Sequence, residues 1–267
     1  MGLLSSLLSH PHTRGLDLDD PQTTELRKKI ILSKPFLRKI YEQWYAYIIE
    51  NLPNINGSVL ELGTGAGFLE KYIPDLITSD LMPVKGCGLA CNALNLPLQS
   101  NSLRAIVMMN VLHHIPNPDL FFQEGARCVK NNGVMVLIEP WVTPWSRVIY
   151  SKLHHEPFEP EINSWNLPES GPLSGGNDAL PWIIFSRDVE LFMSKHLYWR
   201  VKKVIPCCPF NYLLSGGVSM RSLMPGFMFE PLAFIEKNMP ESILIRTAMF
   251  SCIVINKVKE PDTAGDI

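Results

Sequence analysis

The stretch Val59-Leu60-Glu61-Leu62-Gly63-Thr64-Gly65-Ala66-Gly67-Phe68 decides how this chain folds. Val59 to Leu62 is an apolar run with one acid, of the length and residue type of a strand buried in a parallel sheet. Three glycines at alternate positions follow. Glycine permits backbone angles that side chains forbid, and it lets a ligand approach the main chain. Ala66 to Tyr72 is expected to open a helix whose first N–H groups face the same crevice. Strand, glycine turn and helix together make a nucleotide-sized pocket.

A dinucleotide fingerprint needs glycine at positions 63, 65 and 68. Phe68 occupies the last of these and the third glycine comes one residue early, at Gly67, which disfavours a dehydrogenase. Length and composition set further bounds. A chain of 267 residues suits one α/β domain with additions. At 46% apolar and 19% charged it has material for a large core and is too apolar for general disorder. A formal charge of −2 gives no electrostatic reason to expect nucleic acid as a partner.

Six cysteines at irregular spacings read as reduced thiols rather than a disulfide framework. Neither Cys87-x-x-x-Cys91 nor Cys207-Cys208 has a second pair at zinc-finger spacing, so no metal centre is expected. The opening Met1-Gly2-Leu3-Leu4-Ser5-Ser6 matches the short myristoylation pattern and lacks the regions of a secretory signal. No window reaches about 18 consecutive apolar residues, so no membrane-spanning helix is expected and the cytoplasm is the expected compartment.

Outward from the glycine loop the chain alternates. Asp20-Pro21 marks a helix start, and Leu26, Ile30, Leu37, Ile40, Trp44 and Ile48 form a helical face that Pro35 should kink or split. Leu76 to Ser79 reads as a second strand with Asp80 at its carboxyl end, where ligands bind in open parallel sheets. Cys87 to Cys91 is a short third-strand candidate, followed by Asn92-Ala93-Leu94-Asn95-Leu96-Pro97-Leu98. Ala105 to Met109 reads as the fourth strand, leading into Asn110-Val111-Leu112-His113-His114-Ile115. Asn117 caps the next helix, Asn131-Asn132-Gly133 ends it, and Val134 to Ile138 is the fifth strand. Later, Pro144 to Leu153 and Ser186 to His196 read as helices. Trp199 to Ile205 and Thr247 to Val258 read as strands, and 204–235 as an apolar cap over a substrate cleft.

The form E-L-G-x-G-x-G resembles motif I of class I S-adenosylmethionine-dependent methyltransferases. Asn92 to Leu98 resembles that family's D-A-x-x-L-P-F segment with Asn in place of Asp. Asn110 to Ile115 resembles its post-strand V-L-H-H-I. Arg104 stands where the family often has aspartate. The resemblance spans roughly residues 57–140 and implies a Rossmann-like α/β fold: a mostly parallel seven-stranded sheet with an antiparallel edge strand. It also implies S-adenosyl-L-methionine as cofactor, contacted by Glu61, Gly63, Thr64, Gly65, Gly67, Asp80, Leu81, Asn92, Ala93, Asn110 and His114. Among these, Asp80 takes the ribose hydroxyls, while Glu61 and Asn110 lie at the methionine end.

On this reading residues 1–56 are an arm and helices covering the cofactor side, 57–141 the cofactor-binding core, 142–258 the substrate cap with the last strands, and 259–267 a frayed tail. The expected reaction is methyl transfer to a small-molecule acceptor, most readily an oxygen of a sugar, lipid-linked or secondary-metabolite hydroxyl. Alternatives are carbon methylation of a quinone-like ring, or a non-catalytic assembly or regulatory protein that keeps the fold. Candidate bases are His114, His154, His155 and Glu156. His154 and His155 are favoured because a neutral imidazole suits deprotonation of a hydroxyl.

Overall fold

The computed structural model describes residues 21–153, 156–168 and 175–259. Expectations for the amino-terminal arm, the Asp20 cap, His154 and His155, and the tail beyond Lys259 therefore fall outside the described residues. The described chain runs α1 (Pro21–Ser33), α2 (Pro35–Glu50), β1 (Ser58–Leu62), β2 (Leu76–Asp80), β3 (Leu89–Ala90), β4 (Leu103–Met109), α3 (Pro118–Cys128) and β5 (Val129–Pro140). It continues with α4 (Pro144–Leu153), α5 (Leu180–Trp182), α6 (Val189–Lys195), β6 (Trp199–Cys207), α7 (Asn211–Ser215), α8 (Phe229–Lys237), α9 (Glu241–Thr247) and β7 (Phe250–Lys257).

The strands form one seven-stranded sheet in the order β3-β2-β1-β4-β5-β7-β6. β1 to β5 pair parallel, and β7 runs antiparallel to both β5 and β6. The antiparallel member of the edge hairpin is thus its inner strand, with β6 at the rim. Strand order reverses between β1 and β4, which places the ligand crevice beyond their carboxyl ends.

Alternation along the strands builds a core on each face. Leu60, Leu62, Ile106, Met108 and Leu137 pack with Phe121, Phe122, Phe192 and Trp199 on one side. Val59, Ala105, Val107, Val136 and Ile138 pack with Ile40, Trp44, Tyr45 and Ile48 of α2 on the other. Pro35 splits the amino-terminal helix as expected, and Lys34 between the halves extends its ammonium to the carbonyls of Gly217 and Met220. That contact ties the α1–α2 joint to the loop 216–220.

Several local expectations are corrected. No α-helix follows the glycine loop; only a 3₁₀ turn, Leu69–Lys71, is formed. The Phe68 N–H donates to Tyr45 Oη at 2.8 Å, and its ring packs edge-on to Tyr45 with centroids 5.0 Å apart. With the chain held this way and Pro74 close behind, there is no room for a full turn of helix. The third strand is only Leu89–Ala90. α3 stops at Cys128, and Asn131-Asn132-Gly133 lies within the span of β5. The helical segment expected from Ser186 starts earlier, at Leu180, and passes through a π-turn at Ile183–Arg187 before α6. Thr247 ends α9 rather than opening β7.

Candidate active site

The loop after β1, the end of β2, and the ends of β4 and β5 meet around one crevice. Glu61, Gly63, Thr64, Gly65, Gly67, Asp80, Leu81, Asn92, Ala93, Asn110 and His114 all line it. Its walls include Tyr41 from α2, Tyr150 from α4, Tyr212 from α7 and Phe250 from β7.

At the β1–β2 end, Asp80 is fixed by the backbone. Gly65 N–H donates to Asp80 Oδ2 at 3.0 Å and Met82 N–H to Oδ1 at 3.1 Å. Each oxygen keeps a second lone pair, and the side chain is only half-buried. Gly65 sits at φ +45, and a Cβ there would meet nothing nearer than Gly63 O at 3.5 Å and Asp80 Oδ2 at 3.9 Å. The loop therefore offers bare backbone beside a pre-set carboxylate. Glu61 is buried beneath it, accepting from Thr64 Oγ1 at 2.6 Å. Burial pushes its carboxyl up to about 7, against the opposing effect of the Thr64 bond. Asn92 Oδ1 accepts from Leu94 N–H at 2.9 Å, holding its amide at the crevice edge. Arg104, by contrast, is at the far end of the sheet. Its guanidinium bonds Asp75 at 3.0 and 3.2 Å, so this departure from the resembled pattern is a surface ion pair away from the site.

At the β4–β5 end, Asn110 adopts φ +54, a left-handed angle that asparagine tolerates well, and its N–H donates to Ile138 O. That turn redirects the chain so that Val111 N–H and Leu112 N–H both donate to Glu139 Oε1, at 2.9 and 2.8 Å. Glu139 Oε2 lies 2.7 Å from His113 Nδ1. The other face of the His113 ring looks toward Glu156 Oε2 at 3.4 Å and Asp178 Oδ1 at 3.6 Å. His114 stands beside it, ring centroids 4.2 Å apart, with Nδ1 on Gly175 O at 2.7 Å.

Asn177 assembles this end. Its amide bonds Glu159 N and O at 2.9 and 3.1 Å, and its N–H donates to His113 O, so the segments bearing Glu156 and Asp178 are locked against the turn that follows β4. Burial lowers the basicity of His113, but its bonds to Glu139 and Glu156 outweigh that and hold its pKa well above the imidazole range. Burial, then the neighbouring His113 charge, lowers that of His114.

Sequence reasoning placed His114 and Glu156 among the candidates but missed His113, Glu139 and Asp178. The doubled histidine was the visible signal for His113. Glu139 was legible as an acid leaving a strand at the crevice, whereas Asp178 carried no local signal of its place in the site.

The residues fit a bound S-adenosylmethionine: a carboxylate pre-set for vicinal hydroxyls, open backbone at Gly65, and a buried acid below. Residues 60–137 match the family model of a methyltransferase domain. In fold and in that stretch the chain is similar to S-adenosylmethionine-dependent methyltransferases.

Among solved structures, geranyl diphosphate C-methyltransferase from Streptomyces coelicolor, in complex with Mg2+, geranyl diphosphate and S-adenosyl-L-homocysteine, aligns with a TM-score of 0.52 at 14% identity, covering 94% of this chain and 92% of that one. A SAM-dependent methyltransferase from Thermotoga maritima gives 0.52 at 14% identity, covering 89% and 99%. At such identities the likeness is one of fold. Comparison with curated protein sequences finds no match.

Proposed function

We propose that this methyltransferase moves the methyl group to an oxygen of a small, largely apolar acceptor. The observation that carries the reading is the division of one crevice into two ends. One end, at Asp80, Gly65 and Glu61, suits the donor. The other gathers His113, His114 and Glu156 among the aromatic walls of Tyr150, Tyr212 and Phe250.

The cofactor supplies an electrophilic methyl group, so the protein has to align donor and acceptor, exclude water and accept a proton from the acceptor hydroxyl. Asp80 would hold the ribose through the lone pairs its backbone donors leave open. The other sequence-assigned contacts, Thr64, Gly67, Leu81, Asn92, Ala93 and Asn110, would line the rest of the donor. Buried Tyr150, whose hydroxyl donates to Met249 O at 2.7 Å, and half-buried Tyr212 shape an apolar acceptor chamber. The His113–His114–Glu156 group would orient the acceptor hydroxyl and take up its proton; His154 and His155 immediately precede Glu156 and belong to the same proposal. The cap segment that supplies Tyr212 and Val218 to the crevice also exposes Phe227 by 76% and Phe234 by 69%, which supports an apolar or lipid-linked acceptor. Among the described residues no helix is long and apolar enough to cross a membrane.

The test is transfer of tritiated methyl from S-adenosylmethionine into solvent-extractable small molecules of a cell extract. Native protein should label a discrete product, NMR of that product should show an O-methyl group, and Asp80→Ala should label none. Label appearing on carbon, or only on protein, would overturn the acceptor assignment.

A further inference from the structure

The two histidines after β4 differ from ordinary buried imidazoles in what their Nδ1 atoms face. His113 Nδ1 meets the Glu139 carboxylate at 2.7 Å and His114 Nδ1 meets the Gly175 carbonyl at 2.7 Å. Both partners are acceptors, so both Nδ1 atoms carry hydrogen and, in the neutral rings, both Nε2 atoms present lone pairs. Those lone pairs converge on one oxygen. Glu156 Oε2 lies 3.4 Å from His113 Nε2 and 3.7 Å from His114 Nε2. One ligand atom from each of the three residues falls within 4.8 Å of the others.

The 3.4 Å contact is a long hydrogen bond when His113 carries its second proton, and the 3.7 Å contact lies beyond hydrogen-bond reach. They lie close to the edges of a metal polyhedron, since ligands about 2.0–2.2 Å from a tetrahedral zinc ion stand about 3.3–3.6 Å from one another, and a small side-chain adjustment would close the remainder. A proton on His113 Nε2 would relieve one contact and leave the His114 lone pair facing Glu156. A divalent cation among the three relieves every one.

The surroundings are built for ligation as well. A ligating histidine commonly donates its other N–H to a carboxylate or carbonyl, which fixes the tautomer and raises basicity, and both rings here have that partner. Glu139 is itself held by two backbone N–H groups, so it cannot swing away. Gly176 permits the close approach to the second ring, since a Cβ there would lie 2.8 Å from His114 Nδ1.

We propose that His113, His114 and Glu156 bind a divalent transition-metal ion of the zinc class, with Asp178 beside it and a coordination position directed into the crevice. Two imidazoles and a carboxylate suit zinc, iron(II), cobalt(II) or manganese(II) rather than calcium. Three protein ligands leave a place for an exogenous oxygen, as in catalytic rather than structural sites. With the ion bound, an acceptor oxygen entering there would be polarised by it as a Lewis acid and its pKa lowered, while in the metal-free protein the same side chains are open to take up the proton. The site rests on side-chain geometry alone and holds whatever reaction it serves.

The test loads metal-stripped full-length protein with zinc or cobalt(II) in the absence of cofactor, followed by desalting and elemental analysis. One equivalent should be retained, and the cobalt form should show visible d–d bands of a nitrogen–oxygen site. Glu156→Gln and His114→Ala should abolish retention while circular dichroism stays native. Glu139→Gln is the sharper variant: its carboxamide still accepts the backbone N–H groups but turns an NH₂ toward His113, forcing hydrogen onto Nε2, and should weaken affinity about 10–100-fold. Retention of no more metal than a non-binding control, or full retention by a folded His114→Ala/Glu156→Gln double variant, would overturn the site. Calorimetry with S-adenosylhomocysteine on the same samples reports the donor site separately, so the two readings fail independently.

Discussion

Glu61 sits under the glycine loop with its carboxyl pushed up to about 7 from an ordinary value near 4.5. The unfolded chain therefore releases this proton near pH 4.5, while the folded chain holds it to about pH 7. Between those values the folded state binds more protons, so stability contributed by this group falls as pH rises and stays low above 7. At about 1.4 kcal/mol per unit, the cost of charging it amounts to roughly 3 kcal/mol. Glu61→Gln should accordingly melt higher than native protein at pH 8 without cofactor and nearly level with it at pH 5. At about 2–4 °C per kcal/mol for a chain of this size, the gap is readable by calorimetry. Equal gaps at both pH values would mean that burial is not what holds the proton. The position of this acid was plain from the sequence, but its protonation was not. Desolvation depends on Tyr41 and Tyr45 of α2 arriving from a segment that precedes the loop. His113 was opaque for a similar reason, since its partners come from β5 and from the chain after α4.

Glycines in the loops after β1 and β2 adopt left-handed backbone angles, one against a close neighbour and one in open space. Gly63 has φ +65, and a Cβ there would lie 2.4 Å from Val111 Cγ2. Gly86 has φ +82 with nothing within 4 Å. Gly86→Ala should cost about 1–2 kcal/mol from backbone strain alone. Gly63→Ala should cost that and about 1–3 kcal/mol more from overpacking. Adding Val111→Ala should return part of the loss in the Gly63→Ala background, a coupling that urea denaturation can measure. Additive effects would mean that the loop yields without touching Val111. The strand–loop–strand elements were legible because their apolar runs and glycines are local signals. The missing helix after Gly67 was not, because propensity favours it, whereas Tyr45 takes the Phe68 N–H and Pro74 closes the space. Long-range capping had no local signal either. The Lys257 ammonium reaches the carbonyls of Ala126 and Val129 at 2.6 Å across 131 and 128 residues, ending α3 five residues before the glycine that seemed to stop it.

Across the whole molecule, the reversal of strand order between β1 and β4 brings four strand ends to one crevice, and the α1–α2 pair and the segment 206–250 cover it. The strands of the central sheet and their mostly parallel direction were readable from spacing and resemblance. The cover was readable only as apolar and proline-rich, since its form depends on contacts such as Lys34 with loop 216–220 and the Asn177 clamp. Asp80 and Gly65 join the two halves of the account, for they are held to each other and face the space the cover encloses. Calorimetric titration with S-adenosylhomocysteine tests this most directly. Native protein should bind it stoichiometrically with micromolar affinity; Asp80→Ala should lose that binding, and Gly65→Arg, which fills the bare stretch of backbone, should lose it too. No heat of binding with native protein, or an affinity that Asp80→Ala leaves unchanged, would contradict the account.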